Sequence, residues 1–388
     1  MFSAVTSEGK TVYLMKDRYA ATEASELRKT RFFCPVCREQ LDVKLGSLKA
    51  PHFAHKQNKA CTIEFESESA YHLKGKKQLY FWLKAKGCSP VLEPYVKSIQ
   101  QRPDIMANVQ GDLLAFEFQC ANLASDLLYK RTQGLKQAGA EPIWIIGGNR
   151  LKRTSRHFFQ LSAFHWQFMK ENPRQFLLLF YCPEARSFYK LHHITPFYAN
   201  YACASLEAIP LTKANVNDIW FSASAPSFQP AAWQNAITRF RHKPPRFLSK
   251  EANHLRLLFY EKRQTPFPFL PPEVFAPIPL GAVFLSSVFV WQGHLYLYMT
   301  DLAEKRMPIR FSAVFRFCKM QIRKKRIHLR YEYSEQLLRE AMKQYINFLC
   351  RKEFLIEGEK EVYMVKYPVH DCRTLEGIME RDQTCFGE

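Results

Sequence analysis

Long apolar runs are what this 388-residue chain most lacks. The best of them, Val283 to Trp291, is short and interrupted by Ser286 and Ser287, which argues against a membrane-spanning helix. Met1 to Lys16 has no extended apolar stretch and carries Glu8, so it does not read as a signal peptide. Negative charge is scarce: 36 Asp and Glu stand against 56 Lys and Arg, a net charge of +20. Such a surface points to a polyanionic partner, nucleic acid first, although scattered solvated charge gives the same count. Disulfide-like cysteine density is absent too. Eleven cysteines, an odd number, in a chain of this length predict reduced thiols, a few of them on metal, in the cytoplasm. There is no internal repeat and no low-complexity tract. What is present is 47% hydrophobic content, enough for real cores, and a length that predicts two or three domains.

Phe2 to Val5 and Thr11 to Met15 alternate as a hairpin would, and Ala20 to Lys29 has helical composition. Cys34-Pro35-Val36-Cys37 and His52-Phe53-Ala54-His55 then flank a short strand pair. Cys34, Cys37, His52 and His55 have the paired spacing of a zinc ribbon, with Cys61 an alternative to one histidine. A degenerate knuckle that keeps its shape without metal remains the competing reading, whereas no βαβ pattern supports a redox CxxC.

From Glu66 to Ala85 the period becomes helical, and Glu68, His72 and Lys76 share one face. Pro90 to Lys97 reads as a strand. Arg102-Pro103-Asp104 opens a hairpin that turns near Gln110-Gly111 and returns as Leu113 to Gln119. It brings Asp104 beside Glu117, an oxygen site suited to Mg²⁺ or Mn²⁺, with Gln119 on the same face as Glu117. Two surface carboxylates on an ordinary hairpin would look alike. Ala124 to Ala138 is a second helix bearing Lys130 and Arg131, candidates for phosphate contact, and Pro142 to Ile146 is a buried strand. This order predicts an α/β core of the restriction-endonuclease kind.

Beyond Asn149, Phe176 to Tyr181 and Ser187 to Leu191 read as further strands. The proline-punctuated remainder holds helices near 252–262, 303–325 and 334–352. Arg323, Lys324, Lys325 and Arg326 form its densest basic cluster, either a solvated helix face or a DNA contact. The predicted organisation is an N-terminal zinc-ribbon-like β segment (1–62), a nuclease-like domain (63–210) and a mixed, largely helical C-terminal domain (211–388).

The D…ExQ hairpin, the CPxC…HFAH segment and Glu68-Ser69-Ala70-Tyr71-His72 together resemble the competence protein CoiA family of the PD-(D/E)xK superfamily. Gln119 stands where that superfamily usually carries Lys, a substitution CoiA-like nucleases share. The resemblance implies a metal-dependent nuclease that processes incoming DNA or recombination intermediates in natural competence. It assigns catalytic roles to Glu68, His72, Asp104, Glu117 and Gln119, and structural zinc to the cysteine and histidine pairs. DNA, single-stranded or branched, and recombination proteins would be the partners. A DNA-binding recombination scaffold with a degenerate nuclease core is the alternative.

Overall fold

The computed structural model describes residues 1–46, 50–56, 69–169, 177–220, 229–331, 334–366, 372 and 374–387. The chain opens with β1 (Ser3–Thr6), β2 (Thr11–Tyr13), α1 (Ala21–Lys29), β3 (Phe32–Phe33), β4 (Gln40–Lys44) and β5 (His52–His55). These strands form an antiparallel sheet in the order β2-β1-β3-β4-β5. Its small core is Met1, Ala4, Leu14, Phe32, Leu41 and Phe53. Helix α1 buries no residue and owes its start to Glu23, whose carboxylate accepts from the Ala20 N–H at 3.1 Å.

Helix α2 (Ala70–Ala85) follows, capped by the Ser69 hydroxyl, which accepts from the His72 N–H. Then come β6 (Val91–Leu92), β7 (Ile105–Val109), β8 (Asp112–Gln119), α3 (Ser125–Gln137) and β9 (Glu141–Gly147). Strands β7 and β8 pair antiparallel, while β9 lies parallel to β8. Gln110 and Gly111 both take positive φ in the two-residue turn, the conformation whose twist suits a tight hairpin. Pro90 to Lys97 yields only the two-residue β6, because Glu93 turns to φ +50 and Pro94 follows.

Alternation decides which helix covers which face. Ile105, Ala107, Leu114, Phe116 and Phe118 pack with Leu73, Leu79 and Leu83 of α2. Ala115 and the half-buried Met106, offset by one, pack with Leu135 of α3. Helix α2 sits close to the sheet at Gly75, where an added Cβ would lie 2.1 Å from a ring carbon of Phe118.

The chain continues through β10 (Lys152–Arg153), β11 (Phe158–Gln160), α4 (Ala163–Met169), β12 (Leu178–Cys182), β13 (Ser187–Tyr198), β14 (Tyr201–Pro210) and α5 (Val216–Trp220). It ends with α6 (Pro230–His242), α7 (Lys250–Arg263), α8 (Val288–Glu304), β15 (Ile309–Arg310), α9 (Phe311–Arg323), α10 (Glu335–Arg351), β16 (Leu355–Glu357), β17 (Val362–Val365) and α11 (Leu375–Phe386). Two compact units result. The first comprises 1–151, 178–191 and 207–225; the second comprises 152–177, 192–206 and 226–388.

In the first unit the main sheet runs β6-β7-β8-β9-β12-β13, with β12 parallel to β9. In the second, α8 is buried along most of its length, and Arg241 of α6 forms a buried ion pair with Asp382 of α11 at 2.8 Å. The architecture is α/β, with a nuclease-like core in the first unit and a largely helical second unit. Among the described residues no helix is long and apolar enough to cross a membrane.

Candidate functional site

The register of the β7–β8 hairpin pairs Ile105 with Phe116, so Asp104, one residue earlier, stands opposite Glu117. The two carboxylates take their partners from different helices. Asp104 accepts from the Phe118 N–H at 2.9 Å and meets His72 Nε2 and Lys76 Nζ of α2, each at 3.2 Å. Glu117 is buried, and one guanidinium nitrogen of Arg131 on α3 lies 2.8 and 2.7 Å from its two oxygens. The Arg131 guanidinium also lies over the Trp144 ring.

These surroundings drive the two acids apart. Burial works against ionisation of Asp104, but Lys76, His72 and the Phe118 N–H overcome it and hold the carboxyl well below the usual range. Burial raises the pKa of Glu117; Arg131 pulls against this, and the Asp104 charge adds to the rise. Gln119 is buried one pleat further along the same face and donates to the Ala121 carbonyl at 3.0 Å. Glu68 lies outside the described residues.

A second group forms in the N-terminal sheet. Ligand atoms of Cys34, Cys37 and His55 all lie within 4.8 Å of one another. Cys37 Sγ is 3.4 Å from His55 Nε2. Burial raises the Cys34 thiol pKa and lowers that of His55, which Arg102 and the terminal amine lower further. His52 stands apart from the group, with its Nδ1 2.9 Å from the Ala50 carbonyl. Three positions along β5 separate the histidines, an odd number, so they leave opposite faces of the strand. Cys61, the alternative ligand, lies outside the described residues.

Three family models match consecutive stretches of the chain. They are the N-terminal domain of competence protein CoiA at residues 16–64, its nuclease-like domain at 68–224 and its C-terminal domain at 228–379. A curated relative, "Competence protein CoiA" of Bacillus subtilis (strain 168), is 57% identical over 368 residues, 95% of this chain and 98% of its own length. The chain belongs to the competence protein CoiA family. No solved structure matches it.

Around the nuclease-like centre of this CoiA-family chain, three charged residues were given no role from sequence. Lys76 is buried and joins Asp104 to Glu93, 2.6 Å away. Glu93, also buried, accepts from the N–H groups of Phe2 and Ser3, from the Ser3 hydroxyl and from Arg102 at 2.8 Å. It thus ties the first strand of the N-terminal sheet to the carboxylate centre. Lys76 was within reach of sequence reasoning, being one helical turn from His72, and Arg102 adjoins Pro103-Asp104. Glu93 carried no signal, because its backbone donors, Phe2 and Ser3, are 91 and 90 residues away along the chain, and no helix or hairpin spacing links it to Lys76 or Arg102.

The DNA-contact candidates separate. Lys130 is exposed on α3, but Arg131 is engaged on Glu117 and does not stand free on the surface. Arg323, Lys324 and Lys325 are exposed at the end of α9, with Arg326 half-buried; none makes an ion pair among the described residues.

Proposed function

We propose that this protein is a metal-dependent DNA nuclease of the cytoplasm. It would hydrolyse phosphodiesters in incoming DNA or recombination intermediates during natural competence. The observation that carries this reading is the opposition of Asp104 and Glu117 across the hairpin, with Lys76, His72 and Arg131 around them. Two hard oxygen donors facing each other, one held ionised, fit Mg²⁺ or Mn²⁺.

Asp104 and Glu117 would hold the ion, which supplies the charge that polarises a phosphate and acidifies a water. His72 and Lys76 fix the Asp104 carboxylate in its ionised form. Arg131 holds Glu117 until ligand and phosphate compete for it, after which its guanidinium is free for a phosphate oxygen. Gln119 orients and cannot serve as a cation. Glu68, four residues before His72 in the sequence, would be the further acid. Zinc on Cys34, Cys37 and His55 would brace the N-terminal sheet.

One observation favours the scaffold alternative. Asp104, Glu93 and Glu117 are matched by Lys76, Arg102 and Arg131, so the buried charges balance without any metal. The deciding experiment is a cleavage assay on single-stranded, duplex and branched DNA with Mg²⁺ or Mn²⁺. Wild type is expected to cleave and Glu117→Ala not; equal products from both, or none from either, would leave the scaffold.

A further inference from the structure

Helix α2 has two working faces. His72 and Lys76 point to the carboxylate centre. Ala70, Lys74, Lys77, Phe81 and Ala85 follow at spacings of three and four on the other side and line an open cleft of about 1030 Å³. The opposite wall comes from the N-terminal region, through Arg18, Tyr19 and Arg28, and one end from Arg186 in the β12–β13 turn.

Charge in this cleft is one-sided. Arg18, Arg28, Lys74 and Arg186 are exposed and make no side-chain hydrogen bond or ion pair among the described residues. Lys77 is paired with Asp17 at 2.6 Å, and Asp17 is the sole acid on the wall among the described residues. Among the cations stands Phe81, a large aromatic left 44% exposed, with Tyr19 half-buried across from it. The Phe81 ring meets that of Tyr80 edge-on, with centroids 5.5 Å apart, and an exposed ring face is a platform on which a base can stack.

We propose that this cleft anchors a single DNA strand, with Arg18, Arg28, Lys74 and Arg186 on its phosphates and Phe81 stacked on a base. Unpaired cations alone would suit any polyanion. The ring selects a strand with unpaired bases, because a duplex keeps its base faces buried in its own stack. The anchor lies across α2 from the acids, about one helix diameter away. It therefore grips the strand and leaves the chemistry to the centre. The proposal rests on the nucleic-acid reading above and needs no cleavage.

The test is fluorescence anisotropy of a labelled oligothymidylate in EDTA, with the full-length chain, across a salt series. Lys74→Ala/Arg186→Ala should weaken binding at least tenfold and flatten the log-affinity against log-salt slope by about 1.4, two contacts at about 0.7 each for a single strand. Phe81→Ala should weaken it about tenfold with the salt slope unchanged. Lys84→Ala, on the same helix but outside the cleft, is the matched control and should bind like wild type. Duplex of the same sequence should respond less than twofold to any of these changes.

Unchanged oligothymidylate affinity in both cleft variants would overturn the anchor. So would equal loss on single strand and duplex, or equal competition by polyglutamate, since each makes the cleft a generic cationic surface. Cleft variants that bind normally in a protein that cleaves refute the anchor alone. Normal anchoring in a protein that never cleaves refutes the nuclease reading alone.

Discussion

Glu93→Gln removes one charge and almost no volume from the most densely bonded acid of the first unit. The Glu93 side chain is 1% exposed, so water does not screen the loss. Arg102 loses its carboxylate at 2.8 Å, while Lys76 loses one at 2.6 Å and keeps Asp104 at 3.2 Å. One arm of the new amide becomes a donor among donors, since Phe2, Ser3, Lys76 and Arg102 all point hydrogens at this group. Breaking one side of a buried ion pair costs about 3–5 kcal/mol, because the remaining charge stays buried. At a urea m-value of about 3 kcal/mol/M, that shifts the first unit's unfolding midpoint down by about 1–2 M. The assay is urea unfolding of the full chain, read together with hydrogen exchange of the Phe2, Ser3 and Phe118 amides. The first unit should soften and the second hold its midpoint. Adding Arg102→Met should recover part of the loss, since Arg102 is the cation whose carboxylate Glu93→Gln removes, whereas Lys76 keeps Asp104. A midpoint within about 0.3 M of wild type, with amide protection unchanged, would refute the reasoning.

Three further outcomes are expected. Asp104→Ala and Glu117→Ala should abolish metal-dependent cleavage while keeping DNA binding, with Gln119→Ala milder, measured as single-turnover rates. Because the Glu117 pKa is raised, cleavage should fall on acidification through that pKa as its carboxyl takes a proton and releases the ion. Metal analysis should find about one zinc per chain, lost in Cys34→Ser or Cys37→Ser and kept in His52→Ala, which stands outside the group. In the second unit, burial, then His254 and Arg326, lower the His294 pKa from 6.5 to about 3. The unfolded chain binds that proton first, so stability should drain away as the pH falls from about 6.5 towards 3. The loss is on the order of 2 kcal/mol by pH 5, and His294→Leu should flatten the slope in pH-dependent unfolding.

The parts of this molecule with a local signal were legible. The β7–β8 hairpin, α1, α2, α3, β9 and α10 follow from period, turn residues and caps within a few positions. Helix α8 was not, because it is apolar nearly all round and its run of Val, Phe and Trp has no polar stripe to fix a period. Helices α6 and α11 were missed as well. At the centre, spacing on a helix and across a hairpin suffices to bring His72 to Asp104, and Asp104 opposite Glu117. It does not reveal Glu93, whose donors arrive from the first strand, nor that Arg131 turns inward. Zinc spacing counted ligands without regard to the strand that carries two of them, and the pleat of β5 separates His52 from His55.

The interleaving of the two units limits how this protein can be cut apart. A nick between residues 151 and 152 leaves one unit's pieces on both fragments, because 178–191 and 207–225 return to the first unit after the chain has entered the second. A single protease cut therefore frees neither unit as one continuous peptide. Deleting residues from 226 onward leaves 152–177 and 192–206 attached without most of their own unit. The first compact unit as a whole cannot be excised as a cassette with one join at each end. Substitutions that act in place, not truncations, are the instrument for dissecting it.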